Sequence, residues 1–216
     1  MAKTESAMVK LGTPAPAFEL VDVVTGRAMG RDDVFALSWD DDKSDQTNLM
    51  PGGGTSRQGR HGLLVLFVCV HCPYVKHVEE ELARIGRDYF DDGRGPIAIA
   101  AIQSNDIVEY PEDGPDGMRA QARRLGWQFP YLLDDTQEVA RSFHAACTPD
   151  VFLYDAEMKL VYRGQIDSSR PRRGDFGNDV PVTGEDLRSA LDAVVAGKRP
   201  DPNQRNSIGC NIKWRS

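Results

Sequence analysis

Cys69, His71 and Cys72 lie together in the run CVHCP, with Pro73 immediately behind. The spacing of the two cysteines is CxxC, which in an intracellular chain with a βαβ pattern points to thiol–disulfide chemistry. Cys72 falls where a helix should begin, and Pro73 suits the first helical turn, where a missing N–H costs nothing. A sulfur at that spot faces unpaired backbone N–H groups and the positive end of the helix dipole. Both lower a cysteine pKa below its free value of about 8.5 and make the sulfur a nucleophile near neutral pH. Cys72 is therefore the expected reactive thiol. Cys69 either takes part or simply packs as a small apolar residue at a strand end. His71 is either an electrostatic partner of the thiolate or an ordinary loop histidine. The assignment requires the Cys72 sulfur to be ionised by helical amides and open to solvent; a sulfur sealed in the interior would remove it.

The elements that must position these residues are legible around them. Leu63–Val68 is an unbroken apolar run that reads as a buried strand, and Tyr74, Val78, Leu82, Ile85 and Tyr89 then recur at helical spacing. Residues 95–103, GPIAIAAIQ, form a second apolar run that fits a parallel strand reached by a right-handed crossover. The polar loop after it would sit at the carboxyl edge of the sheet, where open α/β sheets keep their chemistry, so Asn105, Asp106 and Tyr110 are candidates to flank the cysteine. Turn chemistry explains the same residues equally well.

Ahead of the central strand, residues 1–13 read as a loose arm. FELVDVV and a return strand across Thr25-Gly26 predict a hairpin. Residues 38–62 form a long Asp-, Gly- and Ser-rich loop: a lid, a contact surface or disorder. Downstream, a helix is expected near 118–125, an extended piece at 129–134, and a short helix capped by Asp135. Strands at 151–154 and 159–167 then form an antiparallel hairpin. A last helix capped by Thr183 ends at Gly197. In the tail 201–216, Ile208, Cys210, Ile212 and Trp214 alternate and predict a docked extended segment.

Composition sets outer limits. A chain of 216 residues with 40% hydrophobic and 27% charged content can build one sizeable core, here placed at residues 14–200. Its net charge of −7 argues against a nucleic-acid face. MAKTESAMVKLG lacks the apolar centre of a secretory signal and no run approaches membrane-spanning length, so a cytoplasmic, membrane-free protein is expected. In that compartment four cysteines suggest reactive rather than framework roles. Only Cys69 and Cys72 have ligand-like spacing, so neither a metal nor a cofactor is expected.

As a set, PAPAFEL, LFVCVHCPYVK, SNDIVEYPED, FPYLLDDTQEVA, CTPDVFLYD, LVYRGQIDSSRP and GCNIKW resemble the peroxiredoxin-like (redoxin) branch of thioredoxin-fold proteins, grouped with alkyl hydroperoxide reductase and thiol-specific antioxidant (AhpC/TSA) proteins. The resemblance runs from about residue 12 to the end. It implies an α/β thioredoxin-like fold, with a central mixed sheet, flanking helices, an amino-terminal hairpin and a docked tail. It matches Cys72 to the nucleophilic first cysteine of the thioredoxin motif and puts Val75 where the second would stand. Cys147 or Cys69 must then resolve a mixed disulfide, with Cys147 slightly preferred. Pro149 matches the cis-proline beside the active site, preceded by Thr148. Against the peroxidatic pattern PxxxTxxC, Val65 replaces the proline and Cys69 the threonine. The peroxide-steadying arginine aligns with Pro149, leaving Arg163 or Arg170 as substitutes. The resemblance thus implies a thiol–disulfide oxidoreductase acting with a disulfide substrate and a thiol donor of the thioredoxin or glutathione type. A thiol peroxidase acting on hydroperoxides and a non-catalytic redox-sensing module are the alternatives.

Overall fold

The computed structural model describes residues 3–37, 60–172 and 177–215. Most of the loop expected at 38–62 lies outside the described residues. The chain is organised around β4 (Gly62–Phe67), buried along its whole length. A strand with apolar side chains on both sides needs cover on both faces, which is how a central strand of an α/β sheet reads. On its right lies β5 (Ile97–Gln103), parallel and in register from Gly62↔Ile97 to Phe67↔Ile102. On its left lies β8 (Asp150–Asp155), antiparallel, with Phe67 opposite Asp150.

The sheet is completed by β2 (Glu19–Asp22), β3 (Ala28–Gly30), β6 (Tyr131–Leu133) and β9 (Leu160–Arg163), in the order β3-β2-β6-β5-β4-β8-β9. This mixed sheet, its helices and the amino-terminal hairpin are the thioredoxin-like arrangement expected. Alternation along β4 divides the core. Leu64 and Leu66 pack with α2 (Pro73–Ile85), α3 (Pro115–Leu125) and α5 (Glu185–Val195). Leu63, Val65 and Phe67 pack on the other face with α1 (Arg31–Ala36), Ala140 of α4 (Glu138–Ser142) and an edge-on aromatic group of Phe67, Phe143 and Phe152.

Three local expectations are corrected. The amino-terminal arm is not loose: β1 (Lys3–Glu5) pairs antiparallel with β10 (Ile208–Asn211), which pairs in turn with β7 (Cys147–Thr148) in a separate three-stranded sheet. The helix α4 is not capped by Asp135. The carboxylate of its buried neighbour Asp134 takes the Val139 and Ala140 N–H groups at 3.3 and 2.8 Å instead. Thr183 does not cap α5. Gly184 occupies that position at φ 67, and the carboxylate of Asp167 takes the N–H groups of Thr183 and Gly184.

Candidate active site

β4 ends at Phe67 and α2 starts at Pro73, so the loop 68–72 is brief and is held over the carboxyl edge of the sheet. Cys72 is the residue that precedes the helix, in extended conformation at φ −66 and ψ 124, and Pro73 opens the first turn. The backbone N–H of Val75 reaches the Cys72 sulfur. The residue standing where a second active-site cysteine was sought thus supplies an amide.

The other expectation for Cys72 is overturned: its exposure is 0%. Against it lies the small sheet formed by β7 and β10, a pairing between distant parts of the chain: Thr148 of β7 accepts the Cys72 thiol and Cys210 of β10 shares its buried cluster. The Cys72 thiol donates to the Thr148 carbonyl at 3.1 Å, and the peptide bond from Thr148 to Pro149 is cis. The side chains of Cys210 and Cys69 share a buried cluster with Cys72 and favour its thiolate. Their effect, with donation from Thr148 and Val75, lowers its pKa, while burial pulls the other way. The Thr148 carbonyl also favours the protonated thiol, but the donors outnumber it, and the net direction is toward thiolate.

The remaining thiols sort by strand geometry. Thr148 lies directly opposite Cys210 and Cys147 opposite Asn211. Directly opposed residues share a face and successive ones alternate. Thr148 meets Cys69 through its hydroxyl, 3.4 Å from the sulfur. Cys210 thus enters on the side of Cys69 and Cys72, and Cys147 points to the other side, toward the Pro149 carbonyl at 3.6 Å. The structure therefore brings Cys69, and not Cys147, against Cys72. Burial pushes the thiols of both Cys69 and Cys147 upward. In sequence Cys210 belongs to the alternating pattern of the docked tail. Its alternation with Ile208 and Ile212 showed that the tail docks, but nothing local showed where.

His71 has a partner that sequence reasoning passed over. Asp113, in a segment read as turn chemistry, is wholly buried. Its Oδ1 accepts the N–H groups of Val70 and His71 at 2.8 and 3.0 Å, and its Oδ2 accepts His71 Nδ1 at 2.5 Å and Asn105 Nδ2 at 2.8 Å. Burial alone would raise the Asp113 pKa; these donors outweigh it and hold the carboxyl below its ordinary value. The same hydrogen bond raises the pKa of His71 against its own burial. Tyr110 stacks on the imidazole, with centroids 5.2 Å apart, so Asn105 and Tyr110 do flank the thiol loop, by way of His71 and Asp113. Asp106 is turned to the tail, where its N–H bonds the Lys213 carbonyl.

Donor atoms of Cys69, His71 and Asp113 lie within 4.8 Å of one another, the distance range of a metal cluster. Both Asp113 oxygens already accept two donors each, His71 Nδ1 is directed at one of them, and the Cys69 sulfur meets the Thr148 hydroxyl instead. The arginine candidates are engaged elsewhere. Arg163 donates to Val9 and Gln204, and Arg170 to Asp167, Ser169 and Gln165. Beside Pro149 lies a small open cleft lined by Tyr74, His77, Arg170 and Ile208. Among the described residues no helix is long and apolar enough to cross a membrane.

Comparison with known proteins places the chain. No curated protein matches it. The crystal structure of an uncharacterized conserved protein from Geobacillus kaustophilus is 41% identical, with a TM-score of 0.82 over 100% of this chain and 97% of that one. A hypothetical protein from Sinorhizobium meliloti 1021 is 38% identical, with a TM-score of 0.81 over 99% of each chain. A putative thiol:disulfide interchange protein DsbE from Chlorobium tepidum, 16% identical, shares the fold at a TM-score of 0.54 over 86% of this chain and 98% of that one. The AhpC/TSA family profile matches residues 54–163, and the chain belongs to that family.

Proposed function

We propose that the protein is a thiol–disulfide oxidoreductase with Cys72 as its nucleophile. The observation that carries this reading is the place of Cys72 at the amino-terminal end of α2, with its sulfur 3.1 Å from the Thr148 carbonyl beside the cis bond to Pro149. In the reaction, Cys72 thiolate attacks one sulfur of a disulfide, a mixed disulfide forms and the other sulfur leaves. A second protein thiol then attacks the Cys72 sulfur and releases the half of the substrate still bound to it, and an external thiol of the thioredoxin or glutathione type restores the dithiol state. Cys69, on the same side as Cys72, fits the second role better than Cys147, which faces away. Pro149 and Thr148 form the wall against which the reacting sulfur rests.

The solvent access that the sequence reading required of Cys72 is not met in this structure, so the proposal holds only for a form in which the cover lifts. Local opening of a short terminal strand costs less than global unfolding, and such segments are where access is usually gained. The peroxidase alternative draws its support from the family. Neither arginine considered for steadying a peroxide is free to do so: Arg163 bonds Val9 and Gln204, and Arg170 bonds Asp167, Ser169 and Gln165.

Steady-state assays separate the readings. Turnover of a small disulfide with a thiol donor, lost in Cys72→Ser, is the expected result. Turnover of hydroperoxide at higher kcat/KM than of disulfide, lost in the same variant, would replace the proposal with the peroxidase. Activity on neither substrate, with Cys72→Ser indistinguishable from the parent in cells, would leave a non-catalytic module.

A further inference from the structure

We propose that Cys210, on the carboxyl-terminal strand β10, is the thiol that resolves Cys72, so that the oxidised protein carries a Cys72–Cys210 disulfide tying its tail to the start of α2. The inference rests on Cys72 being the nucleophile. It is carried by the register of the small sheet, in which Cys210 stands directly opposite Thr148, the residue whose carbonyl accepts the Cys72 thiol at 3.1 Å. Gly209 allows the approach: a Cβ there would lie 2.1 Å from the Thr148 carbonyl oxygen, so only glycine lets β10 close on β7. Anchors on both sides hold the register. Lys3 of β1 pairs with Cys210, Lys213 donates its N–H to Asn105 Oδ1 at 2.9 Å, and the Ile212 N–H bonds the Ala146 carbonyl at 3.2 Å. The tail thereby joins Asn105, a ligand of the same Asp113 carboxylate that holds the thiol loop.

Cys69 is the competitor. It lies on the same side, but the attacking species in disulfide exchange is a thiolate. Burial disfavours one at either cysteine, and at Cys69 the Asp113 charge disfavours it further. Its sulfur is also engaged with the Thr148 hydroxyl. Cys210 has a further consequence that Cys69 lacks: it sits on the segment that covers the reacting sulfur, so the strand that must lift to admit a disulfide also delivers the resolving thiol when it returns.

The steps balance. Cys72 thiolate attacks RS–SR′, the substrate S–S bond breaks, Cys72–S–SR forms and R′S⁻ leaves. R′S⁻ takes the proton of the Cys210 thiol, and Cys210 thiolate attacks the Cys72 sulfur. The mixed disulfide breaks, Cys72–Cys210 forms and RS⁻ leaves with a proton from solvent, which received that of Cys72. Two protein thiols have been oxidised and one substrate disulfide reduced to RSH and R′SH.

The test oxidises the folded, full-length protein with a small disulfide such as oxidised glutathione, alkylates the remaining thiols and maps linked peptides by mass spectrometry. A dominant Cys72–Cys210 link is expected, with Cys210→Ser arrested as a glutathione adduct on Cys72. A dominant Cys72–Cys69 or Cys72–Cys147 link in the parent protein overturns the assignment of Cys210 and leaves Cys72 as nucleophile. A parent protein in which Cys72 forms neither adduct nor link overturns both. The parent map decides without a variant, and Cys210→Ala repeats the arrest should the serine hydroxyl disturb the strand.

Discussion

His71 Nδ1 lies 2.5 Å from Oδ2 of Asp113, and the other oxygen of that carboxylate takes the backbone N–H groups of Val70 and His71. One buried acid thus fixes both the backbone and the ring of the loop that presents Cys72. Removing it would leave these donors unpaired in the interior. Asp113→Ala is expected to cost roughly 3–5 kcal/mol, the usual penalty for breaking a buried pair from one side. Urea denaturation checks this; a loss within about 0.5 kcal/mol, as at an ordinary surface site, would contradict it.

The same pair sets a pH window. The folded pKa of His71 is raised above 6.5, so its contribution is complete below pH 6.5 and is lost as pH rises through the folded value. Asp113 is depressed below 3.8, so its contribution is present above that pH and lost as pH falls through the folded value. Titration of the His71 ring by NMR should therefore give a midpoint above 6.5 that falls in Asp113→Asn. An unchanged midpoint would mean that the carboxylate does not hold the imidazolium.

Asp150 works in the opposite sense. Buried beside Phe67 with only backbone N–H groups for partners, it is pushed up from 3.8 to about 7 by burial, against the pull of those N–H groups. The unfolded chain releases this proton first, so stability is lost as pH rises from about 4 to about 7, by a few kcal/mol. Melting curves across that range should show the decline in the parent and a flatter profile in Asp150→Asn. Parallel profiles would remove Asp150 from the account.

Gly209 tests the cover. An added Cβ would meet backbone atoms of Thr148 rather than a side chain that could swing away. Gly209→Ala is expected to part β10 from β7, at a cost of roughly 1–3 kcal/mol. Alkylation of Cys72 in the native state should quicken accordingly. Equal stability and equal alkylation rates would show that β10 is not what shields the sulfur.

Much of this fold is visible in sequence because its signals are local. Leu63 to Val68 is too continuously apolar for anything but a strand covered twice, and Tyr74, Val78, Leu82 and Ile85 leave no doubt about the helix face. The position of Cys72 follows from the same signals, whereas the cis bond before Pro149 follows from the family resemblance alone. Asp113 escaped because Pro111 to Gly114 has the composition of a turn, and a buried acid there is recognisable only once Val70 and His71 are seen to donate to it. Cys210 escaped for a related reason. Its alternation predicts a docked strand, yet its place opposite Thr148 is a long-range pairing that no local pattern encodes. The misassigned caps have a smaller cause: Asp134 and Asp135 are adjacent and chemically identical, and only burial picks the first.

The account turns on the ionisation of one sulfur, and the pH dependence of its alkylation measures that directly. Native protein is treated with a small alkylating agent across a pH series, and modification of Cys72 is followed by peptide mass spectrometry. The predicted profile has its inflection well below the free-thiol value of about 8.5, so the rate is already on its plateau at neutral pH. An inflection at or above that value would mean that Cys72 is an ordinary buried thiol and would contradict the central claim.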